Sequence, residues 1–348
     1  MNRLELLEKI SKHSVSTKSG GLFNMLGMNR ILFSKEHIFT TVSNLMVVSE
    51  KPENFPIEGE LDFESVYKFL NNCTADELEI EKTKEGYKFD SARMDMLHPF
   101  YPEEKLKHVL ETADAIINGE WQHTAQISDA HLESLKLLAD FSGGQDTCAC
   151  EAKDGFLYGM FISKWAKIEA PEFPNAPLFA QYINDVCNFC KGKNIEYSIN
   201  EEFLKFADMD DGTILLLRLA QKADLLDMVE PEMNKDRIAD VVVEYTGDVK
   251  IAITHALTLC DKKKGIQQVE ISGDKNHLIF TYKANGANVK EKVPIQNLGT
   301  FKKIKINLDI MCGVMVGGSS ALETFSLYPD SICIAKAPGI TTISRYDG

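Results

Sequence analysis

Between Leu61 and Leu97 the spacing of apolar residues changes once, and the rest of the chain repeats that change. Phe63, Val66, Tyr67, Leu70 and Cys73 follow the i, i+3, i+4, i+7 spacing of a helix with one buried stripe. Asp62 stands just before them, where a carboxylate can accept from the free N–H groups of the first turn. Beyond this predicted helix, 62–74, the period becomes two. Leu78 and Ile80, then Tyr87 and Phe89, flank Lys84-Glu85-Gly86, a short loop whose glycine tolerates positive φ. The stretch predicts a helix followed by a hairpin.

The same order returns at 176–219. Phe179, Tyr182, Ile183, Val186 and Cys190 predict a helix within 176–193, and Ile195/Tyr197/Ile199, Leu204/Phe206 and Ile214/Leu216 alternate as strands after it. At 304–343, Leu308, Met311, Cys312 and Met315 make a stripe over 307–316, followed by short β runs. Fainter copies begin at helix 2–13 (Leu4, Leu7, Ile10), helix 128–142 (Leu132, Leu135, Leu138, with Ser128 as a candidate cap) and helix 247–264 (Val249, Ala252, Ile253, Ala256, Cys260). Six helix-plus-sheet units in three pairs predict an α+β architecture of three pseudo-repeated domains, 1–120, 121–238 and 239–348. Residues 103–117 add a short connecting helix.

At 348 residues, with 44% hydrophobic and 26% charged residues, the chain has ordinary globular composition for two or three domains. Its first residues, MNRLELLEKISKHS, carry acids at helical spacing and lack the apolar core of a secretory signal, and no apolar run reaches membrane-spanning length. A cytoplasmic protein with no membrane partner is expected, and its eight cysteines are expected as reduced thiols. The formal charge of −14 excludes a generally basic, nucleic-acid-coated surface. The six predicted helices nevertheless hold as many basic as acidic residues, so the excess acid sits elsewhere and the helices are the relatively electropositive part.

Cys148-x-Cys150 and Cys187-x-x-Cys190 together could offer four thiolates to zinc. Alternation puts the first two on one strand face, and Cys190 belongs to an apolar helix stripe, so they read as small core hydrophobes and no metal or other cofactor is expected. The chain has no GxxxxGK[ST], HExxH or GxSxG, and Asp210-Asp211 and Glu201-Glu202 read as solvated turns. No catalytic residue is assigned, and the chain is not expected to be an enzyme.

The stretches QISDAHLESLKLLADFSGGQD (126–146), ELDFESVYKFLNNCTADELEIEKTKEGYKFDSARMDML (60–97), ITHALTLCDKKKGIQQVEISGDKNHLIFTY (253–282) and FKKIKINLDIMCGVM (301–315), in the register of six units, resemble the β sliding clamp of bacterial DNA polymerase III, in a bacterial or phage-encoded form. The resemblance implies a DNA-clamp fold, with helices inside and sheets outside a ring made of two identical chains. Twelve helices spaced about 8–10 Å apart would enclose a hole of very roughly 22–28 Å, enough for duplex DNA. The implied function is a processivity factor that encircles duplex DNA without reading its sequence and tethers the replicative polymerase. A clamp loader and other clamp-binding peptides are further implied partners. The alternative is a clamp-fold protein that engages replication proteins without encircling DNA.

On this reading the DNA-facing cations are Lys9, Lys12, Lys68, Lys136, Lys191, Lys193, Lys250, Lys262, Lys263 and Lys264. The family's partner-peptide pocket maps to Phe161, Trp165, Val229, Pro231, Ile343 and Tyr346, and its dimer interface to Met94, Met96, Thr258 and Leu259. The ending TTISRYDG departs from the apolar, proline-containing ending of bacterial clamps.

Overall fold

A computed structural model describes residues 2–14, 30–42, 44–52, 55–91, 93–99, 115–142, 148–161, 164–221, 227, 230–232, 235–244, 246–260, 268–295, 303–307, 324–328, 332–337 and 339–345. These residues fall into two compact units, 1–128 with 185–219, and 129–184 with 220–348.

The first unit holds helices α1 (Arg3–Lys12) and α2 (Phe63–Asn72) and most of α4 (Ile183–Cys190). Its larger sheet is antiparallel throughout, in the order β4 (Gly59–Asp62), β1 (Arg30–Phe33), β2 (His37–Val42), β3 (Leu45–Glu50), β15 (Ile214–Arg218), β14 (Phe203–Asp208), β13 (Ile195–Ile199), β8 (Gln122–Gln126). A three-stranded sheet joins β5 (Glu79–Lys82), β6 (Gly86–Ser91) and β7 (Met94–Pro99).

The predicted stripe on α2 is buried at Phe63, Val66 and Leu70, with Cys73 just beyond the helix, and Asp62 accepts from the Ser65 N–H at 2.7 Å as its cap. Phe69 joins the same core, together with Ile31, Phe33, Tyr87 and Phe89 of the strands. On α1 the expected face is corrected. Leu6 and Ile10 are buried and Leu4 is 54% exposed, because the Leu6/Ile10/His13 stripe rather than Leu4/Leu7 turns to the core.

Gly86 is also required for a different reason from the one expected. Its φ is not positive; a β-carbon there would collide with the His98 carbonyl, so β7 can approach β6 only because the side chain is absent.

The second unit holds α3 (Asp129–Ser142) and α5 (Gly247–Leu259). Its eight-stranded sheet has the order β12 (Ala176–Phe179), β9 (Ala149–Lys153), β10 (Phe156–Phe161), β11 (Lys164–Glu169), β23 (Ile340–Arg345), β22 (Ile332–Ala337), β21 (Thr324–Tyr328), β16 (Val241–Glu244). A four-stranded sheet runs β19 (Ala287–Pro294), β18 (His277–Ala284), β17 (Gln268–Gly273), β20 (Ile304–Asn307).

The expected helix over 176–193 is shorter than predicted. Residues 176–179 are strand and 180–182 a 3₁₀ turn before α4, since Leu178 and Phe179 pair with Cys150 and Ala149. Residues 115–117 are helical, whereas 103–114 and nearly all of the predicted helix 307–316 lie outside the described residues.

The strand that leads into a helix does not pair with the strands that follow that helix. β4 precedes α2 but pairs with β1, and Asn2, before α1, bridges to Glu77. β8, before α3, pairs with β13, while β12, before α4, pairs with β9. β16, before α5, pairs with β21, and β20 pairs with β17. Lead strands are thus exchanged within successive pairs of units.

His13 is fully buried at the end of α1, with Nδ1 3.0 Å from Thr40 Oγ1 and Nε2 2.8 Å from Ser49 Oγ. Burial, aided by the neighbouring Lys12 charge, lowers its pKa to about 3. The unfolded chain therefore binds a proton at about pH 6.5 that the folded chain refuses until about pH 3. Stability from neutral His13 is complete above pH 6.5 and falls by about 1.4 kcal/mol per pH unit below it. Denaturant unfolding at pH 7 and pH 5 checks this. A His13→Gln variant, less stable at pH 7, is expected to lose distinctly less on acidification than the native chain; equal losses would refute the assignment.

Candidate functional site

In the second unit, the junction of β11 with β23 places Trp165 directly opposite Ile343. Met160 of β10 pairs with Trp165 on one side, and Ile334 of β22 pairs with Ile343 on the other. Because side chains alternate along each strand, these four share one face of the sheet. There Trp165, Ile343, Ile334 and Tyr328 form an apolar cluster, with Ala149, Met160 and Ala239 packed against it.

The opposite face is spoken for. Gly159 admits α3, since a β-carbon would lie 2.8 Å from Leu138 Cδ1 and 3.0 Å from the Phe141 ring. Lys164, also buried, donates to the Phe141 carbonyl at 2.7 Å and caps the last turn of α3, where a cation meets the negative end of the helix. Burial lowers its pKa, and the nearby Cys148 thiol opposes that shift.

Of the expected pocket residues, Trp165 and Ile343 are in direct register. Phe161 pairs with Lys164, one position beyond Met160. Pro231 is exposed, and Val229 and Tyr346 lie outside the described residues. Met160, Ile334, Tyr328 and Ala239 were not anticipated. Period-two alternation marks Ile334 as half of a strand pattern, but its neighbours become visible only once β11 and β23 are known to pair.

The expected DNA-facing lysines divide by their surroundings. Lys12 is held 2.7 Å from Asp211 and 3.7 Å from Glu8. Lys68 is 2.5 Å from Glu64 one turn earlier, and Lys193 is 3.1 Å from the buried carboxylate of Asp208, with its ammonium 4.2 Å from the Phe189 ring centre. Lys9 donates to the Glu50 carbonyl at 3.2 Å. Lys136, Lys191 and Lys250 are exposed, and Lys262, Lys263 and Lys264 lie outside the described residues. The Asp210-Asp211 turn is therefore not simply solvated. Burial alone would raise the Asp211 pKa, but hydrogen bonds from Lys12 and Thr213 bring it to about 2.

At the expected dimer residues, Met94 is exposed and Met96 packs partly against the first unit's core. Leu97, not anticipated, is half exposed beside them, as is Leu259 at the end of α5, where Thr258 is exposed too. β7 and β19 each pair on one side only among the described residues.

Cys148 and Cys150 lie side by side, Sγ to Sγ 3.9 Å, on β9 and the residue before it. Their mutual hydrogen bond lowers the first thiol's pKa and raises the second's. Burial pushes the Cys190 thiol up. Among the described residues no three His, Cys, Asp or Glu side chains converge as metal ligands, and no helix among them is long and apolar enough to cross a membrane.

No protein-family model and no curated protein matches the chain. Solved structures do. The DNA polymerase sliding clamp of Pseudomonas aeruginosa is 12% identical with a TM-score of 0.74, covering 100% of this chain and 98% of that one. A pol III beta structure from Caulobacter crescentus is 12% identical at 0.74, covering 100% and 99%. The DNA polymerase III beta subunit of Thermotoga maritima is 13% identical at 0.70, covering 100% and 98%. The chain has the sliding-clamp fold. The mixed helix-and-sheet class expected from the repeats is the observed one.

Replacing Lys12 with Met leaves Asp211 without its cation. Its titration midpoint, followed by carboxyl NMR, is expected to rise from about 2 by about one unit or more. An unchanged midpoint would show that Thr213 alone holds the carboxylate.

Proposed function

We propose that this chain is a DNA sliding clamp, a non-catalytic processivity factor of three domains, 1–120, 121–238 and 239–348, that closes into a ring as a homodimer. The observation that carries the reading is which strand edges are paired. In each eight-stranded sheet, two four-stranded halves meet through the last strand of a hairpin series, β3 with β15 and β11 with β23. The smaller sheets end in the two remaining strands of that kind, β7 and β19. An exposed strand edge carries unmet hydrogen-bonding groups, and a second copy repeating the junction, β7 on β19, satisfies them twice over and closes the ring. Exchange of lead strands within successive pairs supports the three domain boundaries.

The helix lysines supply the attraction for duplex phosphates, which needs charge and no base contact. Since Lys12, Lys68 and Lys193 already face carboxylates, the exposed Lys136 on α3 and Lys191 just after α4 carry most of it. The short peptides by which a polymerase and other replication proteins hold the clamp dock near the β11–β23 junction, whose buried Trp165, Ile343 and Ile334 fix its register. A clamp loader to open the ring, and work in the cytoplasm, follow from the same reading.

Two measurements test it. The native chain is expected to have a dimer's mass and to be retained on nicked circular DNA but lost when the circle is cut, since a ring slides off ends. Retention on linear DNA, or none on circles, would overturn the proposal. Lys136→Glu with Lys191→Glu is expected to weaken retention without altering mass, whereas Lys84→Glu has little effect; equal losses would mean that the helices do not face DNA.

The seam has its own test. Met96→Asp with Leu259→Asp is expected to give folded monomers that are not retained on circles. Dimers persisting at micromolar concentration would remove these residues from the interface.

A further inference from the structure

Two thiols stand on the sheet beneath the end of α3, and the clamp role makes no use of their chemistry. Cys148, the residue before β9, and Cys150 within it are two apart, so they project from the same face of the sheet. That face is the α3 side, because Cys150 is in register with Gly159, whose missing side chain admits Leu138 and Phe141. The two Sγ atoms are 3.9 Å apart and both residues are 4% exposed, which leaves room only for a small reagent. With no third His, Cys, Asp or Glu converging on them among the described residues, the pair lacks the ligands of a zinc site.

The surroundings of the two sulfurs differ. Cys148 accepts from the Cys150 S–H, lies near the Lys164 ammonium and accepts from the Met160 N–H; together these hold its thiol below the ordinary value against the opposing effect of burial. Lys164 is itself fixed there, by the Phe141 carbonyl at 2.7 Å and the Phe141 ring centre at 4.6 Å. At Cys150 the bond it gives to Cys148, and then burial, push the thiol well up. Cys148 is therefore the sulfur that ionises first, and Cys150 the one that keeps its proton. Residues two apart on a strand have Cα atoms about 6.6–6.8 Å from each other, at the upper limit of what a disulfide spans. A disulfide at that limit is strained and readily reduced. Cys148 has the freedom to close the gap, since the pairing of β9 with β10 begins at Ala149.

We propose that Cys148 and Cys150 form a reversible oxidation site for hydrogen peroxide, with Cys148 as the attacking sulfur and Cys150 as the resolving one. The Cys148 thiolate attacks one peroxide oxygen, the O–O bond breaks, and Cys148 becomes a sulfenic acid while the departing hydroxide takes up a proton and leaves as water. Cys150 then attacks the Cys148 sulfur. The S–S bond forms, the S–O bond breaks, and the Cys150 proton leaves with the hydroxyl group as a second water. Two thiols lose two electrons in all, and one peroxide is reduced to two waters. A thiol reductant reverses the change by exchange. This chemistry needs no DNA and no partner, and it goes beyond the clamp role proposed above.

The test is brief exposure of the native full-length chain to hydrogen peroxide at neutral pH, then denaturation in N-ethylmaleimide and peptide mapping by mass spectrometry. The peptide holding Cys148 and Cys150 is expected to be two hydrogens lighter and unalkylated, and dithiothreitol is expected to restore two alkylatable thiols. Cys73, a buried cysteine of the first unit's core, is the internal reference and is expected to be oxidised about 10-fold more slowly or less readily still. In Cys150→Ala, Cys148 is expected to stop at a sulfenic acid that dimedone labels; in Cys148→Ala, Cys150 is expected to stay reduced. Matched rates at Cys148 and Cys73 in the native chain would overturn the assignment. Oxidation of native Cys148 to a sulfinic acid with Cys150 left as a thiol would overturn it equally. The native chain's own peptide map decides the matter even if either variant fails to fold.

Discussion

A β-strand can end a sheet only if something takes its outer N–H and C=O groups, and that constraint organises this molecule. Four strands, β3, β15, β11 and β23, are spared an open edge because they pair across long stretches of sequence. Each such junction also decides which side chains meet. A shift of one residue would send Trp165 and Ile343 to the α3 side and bring the Lys164 ammonium out of its seat on Phe141. The hydrogen-bond ladder and the apolar cluster therefore hold each other in register. In the proposed ring the same constraint, met between copies, makes closure a property of the fold.

Electrostatics has been arranged with similar economy. An overall charge of −14 would keep a duplex away, yet the six predicted helices hold as many basic as acidic residues, and several of their lysines are anchored by carboxylates. Asp208, the last residue of β14, and Asp211, in the turn after it, hold Lys193 and Lys12. An anchored lysine is oriented but partly neutralised, so in the proposed ring these lysines would make a weak, sliding contact with phosphate rather than a tight one.

Helices such as α2 were legible because their apolar stripe, cap and following hairpin are all encoded within a dozen residues of one another. Where two stripes overlapped, as at Leu4, Leu6, Leu7 and Ile10, spacing alone chose the wrong face. The deciding contact was His13 with Thr40 and Ser49, far along the chain. At Gly86 the residue type was informative, but its cause, the His98 carbonyl across the hairpin, is a tertiary fact. Phe179 reads as helix by spacing and folds as strand because β9 offers it a ladder.

By itself, then, the sequence determined the six-unit repeat, the helix-then-hairpin order within each unit and the acidic balance of the surface, since all of these are written in local spacing and composition. Tertiary structure alone decided that lead strands are exchanged between units, that β3 joins β15 and β11 joins β23, and which lysines meet carboxylates. It also decided that Trp165 meets Ile343. The reason is physical: such pairings bring together residues up to about 180 positions apart, and a strand's alternation says which of its side chains share a face without saying which other strand will lie beside it.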